Sequence, residues 1–167
     1  LISSTSAAIT FRVTHTMKIP ADVDRSTGNR TGEASLVIEN YYTLREGADR
    51  LDVKTVIHNN AKNHRVVMLT KPSIETDMVL SEGQFDIVER PIKPWDGWQN
   101  PTKPGKMTTF FGLEDSEHGL LIAGRGLCEY EVLRDGENTM SLTLHRGIDQ
   151  LGDWGYFPTP DAQCKGT

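Results

Sequence analysis

The chain has 167 residues, 37% of them hydrophobic and 25% charged, with a formal net charge of −5. That acidic balance excludes a general nucleic-acid surface, which needs a basic stripe to displace counterions from phosphates. No stretch approaches the ~20 apolar residues of a membrane-spanning helix, and the length is enough for one domain with a real core.

The opening LISSTSAAITF lacks the charged start and long apolar run of a signal peptide, and it has no initiator Met, so the chain is expected to be a piece of a longer polypeptide. Ile9 to Ile19 is the cleanest strand, with Ile9, Phe11, Val13, His15, Met17 and Ile19 on one face and Thr10, Arg12, Thr14, Thr16 and Lys18 on the other. Pro20 ends it, and residues 21–33 form a polar loop rich in turn residues. Ser35 to Leu44 and Arg50 to Asn59 alternate in the same way about Arg45-Glu46-Gly47-Ala48, which predicts a long antiparallel hairpin. A second turn at residues 59–63 leads to a returning strand, His64 to Thr70, expected to complete a three-stranded meander.

Beyond Pro72 the strands shorten to Glu75–Leu80 and Phe85–Arg90. Residues 91–106 carry four prolines and two tryptophans, an irregular excursion too long for a passive hairpin link. Met107 to Leu113 returns to strand and feeds Gly119–Ile148, the densest β signal, expected as one ladder of three strands. Leu120 to Ala123 within it has the composition of a strand buried on both faces. Cys128, Tyr130 and Val132 share a face opposite Glu129 and Glu131, and Met140, Leu142 and Leu144 alternate with Ser141, Thr143 and His145. After Ile148 the pattern dissolves into an irregular tail. About ten strands, no credible helix and no linker give an all-β, antiparallel sandwich, a single domain over residues 1–167.

Complete catalytic machinery is absent from this pattern. Asp86 and Glu89 stand three apart on a strand and point to opposite faces, so they cannot form an acid/base dyad with each other. Glu129 and Glu131 share a face and are expected to be its solvated side; Glu114, Asp115 and Glu117 lie in a turn. The histidines show no metal-ligand spacing, and His15 is expected as a hydrogen-bonded core residue. Cys128 and Cys164 are expected as free thiols, the former in the core of its strand. What is left is a set of binding candidates. Arg90, Arg125 and Arg146 offer rigid forks of donors for carboxylate, phosphate or sugar hydroxyl. Trp95, Trp98 and Trp154 lie in irregular segments, where their faces suit either sugar stacking or anchoring of the loops.

Six segments in order, TMKIPADVDRSTGNRTGE, RLDVKTVIHNNAKNHRVVMLTKP, FDIVERPI, FFGLEDSEHGLLIAGRGLCEYEV, LTLHRGI and TPDAQC, resemble the C-terminal β region of the glycoside hydrolase family 38 α-mannosidases, in particular the bacterial group that includes mannosylglycerate-type hydrolases. The resemblance implies a galactose-mutarotase-like supersandwich, cytoplasmic and part of mannose metabolism, that is non-catalytic on its own. In such a parent, retaining hydrolysis of an α-mannoside takes place in an N-terminal barrel that holds zinc, and no cofactor belongs to this segment. The partners it implies are the parent's catalytic and helical domains and the α-mannoside substrate, with neither nucleic acid nor membrane; a homo-oligomeric parent is compatible with it. Arg125, Arg146, Asp86, Glu89, Arg90, Trp95, Trp98 and Trp154 are then the side chains expected to reach toward the sugar, with no catalytic and no metal-binding residue among them. A free-standing carbohydrate-binding or interaction module is the alternative.

Overall fold

A computed structural model describes residues 1–97, 103–151 and 159–167. Among them every helix-or-strand element is a strand, and the pairings of known register are antiparallel, as expected of an all-β chain. The residues divide into two compact units, Leu1–His64 with Arg146–Thr167 and Arg65–His145.

The first unit is dominated by a long ribbon. Strands β1 (Ser3–Ser4), β2 (Ala8–Ile19), β5 (Ala34–Arg45) and β6 (Leu51–His58) make one sheet in the order β1-β2-β5-β6, and β3 (Asp22–Val23) pairs with β4 (Arg30–Thr31) inside the loop between β2 and β5. The register runs from Ala8 opposite Arg45 to Ile19 opposite Ala34, and from Leu44 opposite Leu51 to Val37 opposite His58. It is set by matched alternation: a one-residue slip would invert every side chain. On one face the strands are joined by Thr10–Thr43, Arg12–Glu39, Lys54 over the Tyr41 ring, and Arg45 and Arg50 with Asp52. The other face is apolar and is only partly covered. Leu36 and Ile38 are buried, but Phe11, Leu44 and Leu51 are more than half exposed. His15 lies on this face and is exposed, not a core histidine, because β2 is exposed along nearly its whole length.

The second unit holds two four-stranded sheets. One has the order β10-β13-β14-β7, from β7 (Arg65–Thr70), β10 (Gly105–Lys106), β13 (Glu129–Val132) and β14 (Met140–Arg146). The other has the order β12-β11-β8-β9, from β8 (Met78–Glu82), β9 (Ile87–Pro91), β11 (Phe110–Glu114) and β12 (Gly119–Ala123). Val79, Phe111 and Leu113 of one sheet meet Tyr130, Val132, Met140 and Leu142 of the other in one buried cluster, completed by Ile74 and Met107. Phe111 and Tyr130 stack with ring centroids 4.5 Å apart. The Tyr130 ring lies over Gly105 opposite it in the ladder, where an added Cβ would come within 2.4 Å of a ring carbon.

Three expectations are corrected here. The strand after the 59–63 turn does not complete a meander with β6; it joins β14 in the second unit, because Asn59 bridges to Gly166 and Asn63 takes a left-handed φ of 53° that turns the chain away. Gly119–Ile148 is not one ladder: β12 pairs with β11, β13 with β14, and β12 is half-exposed, with Leu121 on its open face. The tail is not wholly irregular, since β15 (Ile148–Leu151) pairs with β16 (Thr159–Ala162).

Candidate functional site

The densest polar constellation gathers around Asn63 in the first unit. Asn tolerates left-handed backbone because its short side chain can hydrogen-bond locally. Its Nδ2 donates to Asp22 Oδ1 at 2.6 Å, and its Oδ1 accepts from the Asp149 N–H at 2.7 Å and from Gln163 Nε2 at 2.9 Å. Its own N–H donates to Gln163 Oε1 at 3.1 Å, and its carbonyl accepts from Arg30 Nη1. Beside it Asn59, 3% exposed, donates to the carbonyls of Ala61 and Cys164 and accepts from the Ala61 N–H. Four separate segments are thereby tied together: the loop after β2, the turn after β6, the start of β15 and the C-terminal tail. All of these residues except Asp149, one position beyond LTLHRGI, come from segments that carry the family resemblance. The sequence marks the residues of the two loops as turn chemistry and those after Ile148 as irregular tail, and it singles out none of them; the available signal is that NNAKN and TPDAQC both lie in segments that carry the resemblance.

Hydrogen bonds favour the ionised form of Asp22 and of its neighbour Asp24. The Val23 N–H, and then the Asn63 amide, keep the Asp22 carboxyl below the ordinary value of 3.8; the Ser26 hydroxyl does the same for Asp24. Asp149 is bridged by Arg25 at 3.1 Å. Carboxyls lowered as Asp22 and Asp24 are make poor general acids, which need a pKa raised toward neutrality. They are good fixed acceptors that hold neighbouring donors in place.

Arg146 ends β14 at the edge of this constellation and is exposed. The chain around it is anchored by the Gly147 N–H on the His64 carbonyl at 2.9 Å and, two residues on, by Asp149 on Asn63. The backbone that carries Arg146 is therefore well fixed.

The remaining sequence candidates lie in the second unit and are spread out. Arg125 is exposed just after β12, and Asp86 lies just before β9, with its Oδ1 accepting from the Ile87 N–H at 2.8 Å. The two leave the same end of one sheet, but β12 and β9 are its opposite edges, three strand spacings or about 14 Å apart. Glu89 and Arg90 lie within β9, opposite Leu80 and Val79. Arg90 Nη1 donates at 2.7 Å to the hydroxyl of Ser81, which is fully buried, so this guanidinium satisfies a core polar group. Trp95 is 72% exposed. Trp98 and Trp154 fall outside the described residues.

Three further residues differ from expectation. Cys128 is free but exposed, since β13 begins one residue later and the chain before it is loop; Cys164 is also free and exposed. Glu129 and Glu131 are not a solvated face: their side chains are 15% and 12% exposed, drawn in by Arg65, whose Nη1 and Nη2 reach one glutamate each at 3.4 and 3.5 Å. Thr143 also donates to Glu129 at 2.7 Å. These glutamates are neutralised across the sheet and leave no free carboxylate pair for glycosidic chemistry.

Among the described residues the candidate carboxylates form no assembled acid/base pair. Among those residues no three His, Cys, Asp or Glu side chains come together as metal ligands.

Residues 3–162 match the model of the glycosyl hydrolases family 38 C-terminal domain. The chain is 33% identical to a Halalkalibacterium halodurans protein named "Putative mannosylglycerate hydrolase", over 99% of this chain and 20% of that one. Among solved structures it is similar to an α-mannosidase from Enterococcus faecalis, with a TM-score of 0.90 and 29% identity over 99% of this chain and 20% of that one. It is also similar to a glycosyl hydrolase family 38 protein from Enterococcus faecalis, with a TM-score of 0.83 and 28% identity over 96% of this chain and 20% of that one. The chain thus spans about one fifth of the length of these relatives. A match of this extent, in sequence and in fold, shows that the chain belongs to the glycosyl hydrolases family 38 C-terminal domain family.

Proposed function

We propose that this chain is the non-catalytic β-sandwich part of a longer α-mannosidase-type glycoside hydrolase, its two compact units counting as one domain. It supports the catalytic part and lends side chains to one wall of the sugar pocket. The observation that carries this is the coverage: nearly all of the chain aligns with relatives of which it makes up only 20%. The pinned carboxylates support the same reading, because they leave the chemistry to the rest of the polypeptide. In this reading the parent is a cytoplasmic bacterial enzyme of mannose metabolism whose zinc and catalytic carboxylates lie in another domain. Its substrate is an α-mannoside. Arg146, on its fixed backbone, is the foremost candidate for contact with sugar hydroxyls, followed by Arg125.

The test is an assay with an aryl α-mannoside and zinc. The longer protein turns over, and the 167-residue chain does not exceed buffer; turnover by the chain alone at an enzyme-like rate would refute the proposal. In the longer protein Arg146→Ala lowers kcat/KM by on the order of tenfold, the loss of one hydrogen bond to a charged donor, with no matching loss of stability. The exposed Trp95 favours one competing reading, a free-standing carbohydrate-binding module. Glycan binding by the 167-residue chain that Trp95→Ala abolishes would support that competitor instead.

A further inference from the structure

The backbone just beyond Arg146 is held by two neighbouring residues. The buried Gly147 donates its N–H to the His64 carbonyl at 2.9 Å, and the Asp149 N–H donates to Asn63 Oδ1 at 2.7 Å. The first bond runs backbone to backbone, whereas the second depends on a single side chain. That side chain meets three demands at once. The left-handed φ of 53° at residue 63 favours Asn, Asp or Gly. The Asp149 N–H and Gln163 Nε2, at 2.7 and 2.9 Å, need an acceptor oxygen, while the Asp22 carboxylate at 2.6 Å needs a donor. Gly offers neither, and Asp would set a second carboxylate against Asp22. Only Asn among the three supplies both, and the network fixes which end of its amide is oxygen.

We infer that Asn63 is the positioning residue for Arg146: its amide, seated on Asp22, holds Asp149 and with it the backbone that presents the arginine to the sugar. The inference rests on the reading that Arg146 contacts substrate in the longer protein, and it names what sets that contact. In this role Asn63 acts through Arg146 and not on the substrate. Such placement matters, because a misplacement of about 1 Å can cost on the order of a hundredfold in rate. A guanidinium on a long, flexible stem takes its frame from the backbone that carries it. That frame is braced from several directions. Arg25 reaches Asp149 Oδ2 at 3.1 Å, Arg30 of β4 donates to the Asn63 carbonyl, and Gln163 of the tail accepts from the Asn63 N–H at 3.1 Å. Residues 147 and 149 are thus fixed while Arg146 stays exposed.

Steady-state kinetics of the longer protein with an aryl α-mannoside and zinc test this. KM is the readout, because unfolded enzyme lowers the apparent kcat and leaves KM unchanged. Asn63→Gly keeps the left-handed turn and removes only the side-chain bonds. Its KM is expected to rise by on the order of tenfold, as in Arg146→Ala, the loss of one hydrogen bond to a charged donor. In the double variant KM rises no further than in Arg146→Ala, since residues that act through one contact are not additive. Asp22→Asn, which loosens the amide without touching the turn, shifts KM the same way by a smaller factor. An unchanged KM in Asn63→Gly or in Asp22→Asn would overturn the inference and leave Arg146 in its role. So would a rise of about a hundredfold in the double variant, the product of two independent effects. An unchanged kcat/KM in Arg146→Ala would overturn the reading of the pocket and this inference with it.

Discussion

The two units are made of the same material, alternating antiparallel strands, and bury it differently. In Arg65–His145, two sheets close on each other, and Phe111, Leu113 and Met140 lose nearly all contact with solvent. In the ribbon of Leu1–His64, strands twice as long leave Phe11, Leu44 and Leu51 more than half exposed. Alternation therefore specifies which face of a strand is apolar, and a second layer is needed before that face becomes a core. The second unit contains its second layer. The first compensates in part through polar ties, above all the Asn63 constellation.

The contrast is most easily broken by truncating one aromatic ring in each unit. Phe111→Ala removes a fully buried, stacked ring and is expected to cost about 3–5 kcal/mol, whereas Phe11→Ala in the 167-residue chain costs under about 1 kcal/mol. Urea unfolding of both variants measures this; equal losses would mean that the ribbon face is as tightly packed as the core.

Next in size is the polar tie. Asn63→Ala removes the side-chain bonds to Asp22, Asp149 and Gln163 and leaves Ala at a left-handed φ, for an expected loss of about 2–3 kcal/mol. Asn63→Gly relieves the backbone but not the lost bonds, so it should recover only part of the loss. Thermal melts, with limited proteolysis of residues 159–167, check both the energy and the release of the tail.

A smaller effect concerns pH. The Asp22 carboxyl is held below 3.8 in the folded chain, chiefly by the Val23 N–H, so as pH falls the unfolded state takes up its proton first. The stability it contributes is complete above that ordinary value and is lost as pH falls through the folded one. Tm should therefore decline on acidification through that range, and less steeply in Asp22→Asn; identical acid profiles would show that Asp22 does not contribute. Smallest of all is Arg12→Gln on the finished polar face, where an exposed pair with Glu39 at 3.4 Å is worth about 0.2–1 kcal/mol by urea unfolding.

Much of the fold was legible in the sequence because period-two alternation records which face is apolar. β2, β5, β6 and β14 fall within a residue or so of their expected limits, and Tyr130 and Val132 face the core as their spacing required. What alternation cannot record is the partner of each strand. It therefore failed at β7, which leaves for another sheet, and at β12, which pairs backward with β11. His15 and Cys128 were placed in a core on face and composition alone, although burial also needs a covering layer. The site was less legible still. The Asn63 constellation joins residues 100 positions apart through side-chain bonds that have no period in sequence. The arginines chosen for their chemistry were found on separate strands, Arg90 satisfying a buried hydroxyl and Arg125 at the far edge of the same sheet.

The second unit closes its own core, while the ribbon leaves much of one apolar face exposed. Amide hydrogen exchange on the 167-residue chain tests this contrast most directly. The account predicts that amides of β11, β13 and β14 exchange only through global unfolding, while those along the open edges of β2 and β6 exchange faster by orders of magnitude. Equal protection of the ribbon edges and the core strands in that chain would contradict it.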